Sequence, residues 1–252
     1  MKKIFSVMFF AVLIIFYCVT ISVASEEPQF SVNMGIAYYS RYVSEINGNV
    51  VYDSPVSQQS VTLTHNSSGI YAEVWNSYSP KDGANSDFGD ELDYSIGISK
   101  EVKGFTVDAG YAFYDLYKIG HVEGDLHAIY LNVDALEIHS VVPYIQVEID
   151  FPTDEDILEG GVMYRVGVRR SIEIAKQPVD FDLSVAGNNG AYGYKPDLLS
   201  TGKLGISTTF NIWKLEITPE VNLQKVIGHT EEDGGIAGDK VLWWGIKVSL
   251  PL

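Results

Sequence analysis

A two-residue alternation constrains this chain more than any other feature. Residues 240–252 read Lys-Val-Leu-Trp-Trp-Gly-Ile-Lys-Val-Ser-Leu-Pro-Leu. On an extended strand Leu242, Trp244, Ile246, Val248, Leu250 and Leu252 share one face, and Trp243, Gly245, Lys247 and Ser249 share the other. The first face is wholly apolar and the second is small and mixed. Such a strand lies against either a protein core or lipid. Pro251 has no backbone donor, so ladder pairing is expected to stop near Leu250.

The same alternation recurs upstream in runs about ten residues long, the length of a tilted strand that spans a bilayer. Runs are legible at residues 30–42, 56–65, 70–78, 91–98, 105–113, 126–134, 138–151, 162–169, 180–186, 203–210 and 215–223. With the last run this predicts an all-β chain of about twelve strands. The register of residues 56–65 is weak and that of 126–134 ambiguous, and Pro219 weakens its ladder locally. Connections alternate between long polar stretches, such as residues 80–89 and 227–239, and compact turns such as Asn66-Ser67-Ser68-Gly69. Short turns at one end and long loops at the other describe a transmembrane antiparallel up-and-down β-barrel. A soluble sandwich need not alternate in this way.

The N-terminus supplies an export route. Met1-Lys2-Lys3, an apolar run over residues 4–23, and Ala24-Ser25-Glu26-Glu27 predict a signal peptide over residues 1–25, cut after Ala24 or Ser25. The barrel then occupies residues 26–252, with no room for a soluble periplasmic domain before the first strand. An uncleaved helical anchor is the rival reading, because the run is about a bilayer long. Bulky Tyr17 disfavours a lipid-modified Cys18, the only cysteine. Cleavage removes Cys18, and with it disulfide and thiolate chemistry. It also removes Lys2 and Lys3, leaving 15 Lys+Arg against 33 Asp+Glu and moving the net charge from −16 to −18. So acidic a chain repels phosphate backbones, which excludes nucleic-acid binding.

Charges inside the runs sit opposite the apolar faces. Glu73, Asp93, Asp108, Glu148, Arg165, Arg169, Asp182, Glu216, Glu220 and Lys247 are the lumen-facing candidates. Acids outnumber bases among them, which favours cations in a pore. The opposing reading is that the charges pair across the interior and fill it. Aromatics near run ends (Tyr38, Tyr39, Tyr42, Tyr78, Phe113, Tyr114, Phe151, Trp213, Trp243, Trp244) suggest girdles at the two membrane interfaces.

Catalytic and metal signals are weak. His65, His121, His127, His139 and His229 form no His-Glu-x-x-His pair. His65 and Ser67 would share a face, as a nucleophile and base must, but at the end of the compact turns. His139 and Ser140 are adjacent and would face opposite sides of a strand. The acidic loops Asp154-Glu155-Asp156 and Glu231-Glu232-Asp233 match no calcium-loop spacing and read as solvated charge. No cofactor is implied.

Over the first half of the mature chain the sequence resembles the TorF-type outer-membrane porin family. The matching pieces are Tyr39-Ser40-Arg41-Tyr42, Gln59-Ser60-Val61-Thr62-Leu63 and Ser68-Gly69-Ile70-Tyr71-Ala72-Glu73-Val74-Trp75. Glu91-Leu92-Asp93-Tyr94-Ser95-Ile96-Gly97 and Asp108-Ala109-Gly110-Tyr111-Ala112-Phe113-Tyr114 continue the likeness. The resemblance implies an outer-membrane barrel and supplies neither substrate nor catalytic residue. The expected function is passive, porin-like diffusion of small polar solutes or ions. The alternatives are an occluded structural or adhesin-like barrel and a lipid-modifying enzyme. Expected partners are outer-membrane lipid, lipopolysaccharide and the barrel insertion machinery.

Overall fold

The computed structural model describes residues 28–46, 48, 50–79, 90–116, 124–154, 159–191, 196–228 and 240–252. The leader, His121, His229, Glu231-Glu232-Asp233 and most of the other acidic loop lie outside the described residues. Strands follow in the order β1 (Phe30–Tyr39), β2 (Tyr42–Val43), β3 (Val50–Tyr52), β4 (Val56–His65), β5 (Ile70–Tyr78), β6 (Glu91–Val102), β7 (Phe105–Leu116) and β8 (Leu126–Asp134). After them come β9 (Val141–Pro152), β10 (Gly161–Ile174), β11 (Gln177–Asn188), β12 (Asp197–Ser207), β13 (Phe210–Ile212), β14 (Leu215–Val226) and β15 (Lys240–Pro251).

Neighbours in sequence pair antiparallel around the whole circuit, and β15 pairs with β1 to close it. The wall is a 12-strand barrel, as the alternation predicts. β12 and β13 are one wall strand interrupted at Thr208-Thr209. Thr208 lies opposite Pro219, which accepts from it at 3.3 Å but has no N–H to return. Closure leaves no sheet edge, so every wall strand finds ladder partners on both sides.

The exterior is apolar. Ile96 (57 % exposed), Ile129 (52 %), Leu183 (60 %) and Leu242 (60 %) point outward among many similar side chains. A band of this kind around a closed barrel requires lipid as its solvent.

Three local findings differ from the sequence reading. Pairing does not stop at Leu250. β15 runs to Pro251, and Leu252 exchanges backbone bonds with Val32 at 2.8 and 3.3 Å. Pro251 faces Asn33 at a non-hydrogen-bonded position, and β14 has already turned away on its other side, so its missing donor costs no bond. His139 and Ser140 are not on a strand. With φ of 52° and 64° they form the tip of a hairpin closed by the Ile138–Val141 bridge, and β9 starts at Val141. Finally, the first run breaks at Tyr39. Ser40 caps the ladder, its N–H donating to Trp244 O at 2.9 Å and its Oγ accepting from Trp244 N at 3.0 Å.

Beyond Ser40 the chain turns into the barrel instead of out to solvent. The β2–β3 hairpin is clamped at its base by Arg41–Asp53 at 2.7 Å. Its residues reach strands all around the wall. Tyr42 donates to Glu91 on β6 at 2.9 Å, and Arg165 on β10 donates to the carbonyl of Glu45. Gln224 on β14 donates to the carbonyl of Gly48 at 2.5 Å. Gly48 has φ +78°, the left-handed region that favours glycine, and a Cβ there would press on the Gln224 and Thr201 side chains. Val43, Val50 and Tyr52 then pack with Tyr39, Val56, Leu116, Leu126, Val241 and Trp243 into an apolar cluster inside the barrel. Tyr39, Tyr42, Tyr114 and Trp243 are therefore interior residues, not girdle residues. Tyr38 and Trp244 pair on the outside, ring centroids 5.8 Å apart.

Candidate functional site

The lumen below the hairpin has two chemically distinct walls. Strands β5 to β9 carry the acidic wall. Glu73, Asp93, Asp108 and Glu148 line a central cavity of about 510 Å³, together with Glu91. Neutral donors serve four of these carboxylates, and Asp93 Oδ1 is buried without a partner among the described residues. Thr62 donates to Glu73 at 2.5 Å, Tyr114 to Glu148 at 2.9 Å, and Tyr71 to Asp108 at 2.8 Å. Asn132 adds a bond to the other Asp108 oxygen at 3.1 Å, and the Tyr71 and Tyr130 hydroxyls meet at 2.5 Å. The Tyr71 and Tyr130 rings lie over Gly97, and Tyr130 also over Gly110, where any Cβ would collide with them. Glycines on the inner face of β6 and β7 thus make room for the tyrosine net.

Strands β10 to β15 carry the basic wall. Arg165, Arg169, Lys203 and Lys247 line a second cavity of about 490 Å³, open toward the compact turns. Here acids serve Arg169 and Lys247. Arg169 Nη1 lies 2.8 Å from Asp134, and its Nε 3.8 Å from Asp182. Its guanidinium sits 4.1 Å from the Tyr144 ring centroid, and Tyr144 also donates to Asp182 at 3.0 Å. Lys247 Nζ lies 3.1 Å from Glu220 and 4.0 Å from Glu45. Arg165 is 2 % exposed and also donates to Ser184 Oγ at 2.7 Å. Glu216 accepts from Ser249 at 3.1 Å near the turns and lines neither cavity.

The structure therefore brings Glu73, Asp93, Asp108 and Glu148 together on one wall, and Arg165, Arg169, Asp182, Glu220 and Lys247 on the other. Glu91 and Lys203 stood on polar faces of their runs but were not among the candidates. Glu45 was hidden in a stretch that reads as loop. Asn47-Gly48 flanked by Val43 and Val50-Val51-Tyr52 was the available hairpin signal. Glu45 belongs to that loop, not to a wall strand. Its side chain is 81 % accessible although the barrel encloses it, so it stands in open lumen. Lys247, with smaller contributions from Lys203, Arg165 and Arg169, holds its carboxyl below the usual carboxylate range.

Ser67 is not the partner of His65. His65 Nδ1 bonds Ser68 Oγ at 2.7 Å, and Ser68 Oγ accepts from the Ile70 N–H at 3.2 Å, which is turn architecture. Among the described residues no group of three or more His, Cys, Asp or Glu is arranged to hold a metal ion.

No known family model matches the chain, and no curated protein matches it in sequence. Solved structures share the fold. The NanC porin superposes with a TM-score of 0.53 at 11 % identity, covering 87 % of this chain and 100 % of its own. The KdgM porin in complex with disordered oligogalacturonate gives 0.52 at 8 % identity, covering 87 % and 98 %. The COG4313 outer membrane channel from Pseudomonas putida F1 gives 0.52 at 10 % identity, covering 90 % and 97 %. At such identities the likeness concerns the barrel alone.

Proposed function

We propose that this protein is an outer-membrane channel of narrow bore, through which small polar solutes and ions diffuse passively with a preference for cations. One observation carries the reading: a closed barrel, apolar outside, surrounds a charged lumen with cavities of about 510 and 490 Å³. An interior filled by its own side chains would not leave cavities of this size. The export signal, the end-to-end loop asymmetry and the shared fold with porins support an outer-membrane location, and the likeness to TorF-type porins belongs to the same reading. Lipid and lipopolysaccharide would contact the outer face, and an insertion machinery would assemble it. Carboxylates outnumber bases around the central cavity, and ion pairs engage Arg169 and Lys247 on the other wall, which supports a preference for cations. The reading assigns no catalytic step.

The test is liposome swelling by refolded protein whose gel mobility shifts on heating, paired with membrane fractionation of expressing cells. The expected result is outer-membrane fractionation and faster swelling in small polar solutes than in bulky ones. Release with the periplasm, or folded protein that never swells liposomes, would remove the channel reading. The apolar cluster at the loop end favours a second reading, an occluded barrel acting through its loops. That reading predicts folded, correctly localised protein without swelling.

A further inference from the structure

The basic wall holds its two arginines and its inward loop firmly, but one carboxylate loosely. Arg165 fixes the Glu45 backbone from a position 2 % exposed. Arg169 is held between Asp134 and Asp182. The Glu45 side chain, by contrast, is 81 % accessible and reaches Lys247 only at 4.0 Å, whereas Glu220 takes the same ammonium at 3.1 Å. An anchored backbone carrying a loosely held carboxylate beside a cationic surface has the geometry of a tethered, exchangeable ligand. The adjoining cavity of about 490 Å³ has room for a sugar acid.

We propose that Lys203 and Lys247, beside the buried Arg165, form a binding arc for a solute carboxylate, and that the Glu45 side chain is the displaceable neighbour of Lys247 there. The inference rests on the channel reading and names the class of ligand that docks on its basic wall. A carboxylate-bearing solute exchanges with Glu45 at the arc, while Asp182 and Glu220, which line the same cavity, disfavour dianions. No bond is made or broken. The Glu45 carboxylate moves away from Lys247 within the lumen as the solute carboxylate takes its place. A neutral solute of the same size has no charge with which to displace it.

The probe is glucuronate, with glucose as the neutral control, added to single channels carrying KCl current. Glucuronate is expected to reduce the current of the wild type, and glucose is not. Glu45→Gln removes the competitor, so glucuronate should bind roughly tenfold more tightly, and Lys247→Met should weaken it by a similar factor. Equal block by glucose, or unchanged or weaker glucuronate binding in E45Q, would overturn the proposal. Calorimetric titration of glucuronate into heat-modifiable barrel in detergent separates the two claims. Tighter binding by E45Q there sustains the arc even if no current flows, and folded wild type and E45Q that both fail to bind refute it.

Discussion

The two walls of the lumen carry opposite charges and satisfy them by opposite means. On the acidic wall Tyr71 and Asn132 donate to Asp108, Tyr114 to Glu148 and Thr62 to Glu73, so neutral hydrogen bonds fix these three carboxylates, and Asp93 Oδ1 is buried without a partner among the described residues. On the basic wall Asp134 and Asp182 pair with Arg169, and Glu220 and Glu45 with Lys247, while Arg165 is held by a backbone carbonyl and a hydroxyl. A count of residues would miss this. The inward hairpin couples the two walls, since Tyr42 bonds the acidic wall while Glu45 and Gly48 bond the basic one.

The largest effect should come from removing the coupling. Replacing residues 42–52 by a short Gly-Ser link should raise single-channel conductance about threefold, because the hairpin crosses the lumen. Unchanged conductance would place the limiting constriction elsewhere. Next, Arg165→Met takes the donor from the Glu45 carbonyl and from buried Ser184, and should cost about 2 kcal/mol in urea unfolding from vesicles. A variant as stable as the wild type would show that the hairpin is seated by its apolar cluster alone.

The means of satisfaction can be separated from the charge. Asp108→Asn should lower cation selectivity, whereas Tyr71→Phe should cost about 1 kcal/mol of stability and leave the sign of selectivity unchanged. If Tyr71→Phe altered selectivity as much as Asp108→Asn, the proposed difference between the walls would collapse. The smallest effect concerns pH. Glu45 has a lowered pKa in the folded state, so its pairing stabilises the fold above the unfolded carboxylate value, about 4.3. That contribution is lost as pH falls from there through the lowered value. Wild type minus E45Q stability should therefore be flat above about pH 4.3 and decline below it. The difference should be small, because the Glu45 side chain is largely accessible and screened. A difference that grows on acidification would reverse the assigned sign.

Where one face met lipid and the other a polar lumen, period-two alternation read the barrel directly. It lost definition where the inner face is apolar too. Residues 126–134 were ambiguous because Leu126 and Ala128 point inward to buried positions while Ile129 and Leu131 point outward to lipid, so both faces carry apolar residues. The same inward cluster recruited Tyr39 and Trp243, which by position alone look like girdle aromatics. Pro219 marked a real break in the ladder, but Pro251 did not, because the cost of a missing donor depends on which neighbour it faces. The candidate charges on the walls could be found from alternation. Glu45 could not, because its place is set by a hairpin folding back through the barrel, and alternation along a strand carries no information about that.

The most direct test of the account is the reversal potential of single channels, recorded across a KCl gradient with refolded wild-type protein. The account predicts discrete conductance steps with a reversal potential of the sign that marks potassium over chloride. Chloride selectivity, or a folded barrel that inserts and carries no current, would contradict it.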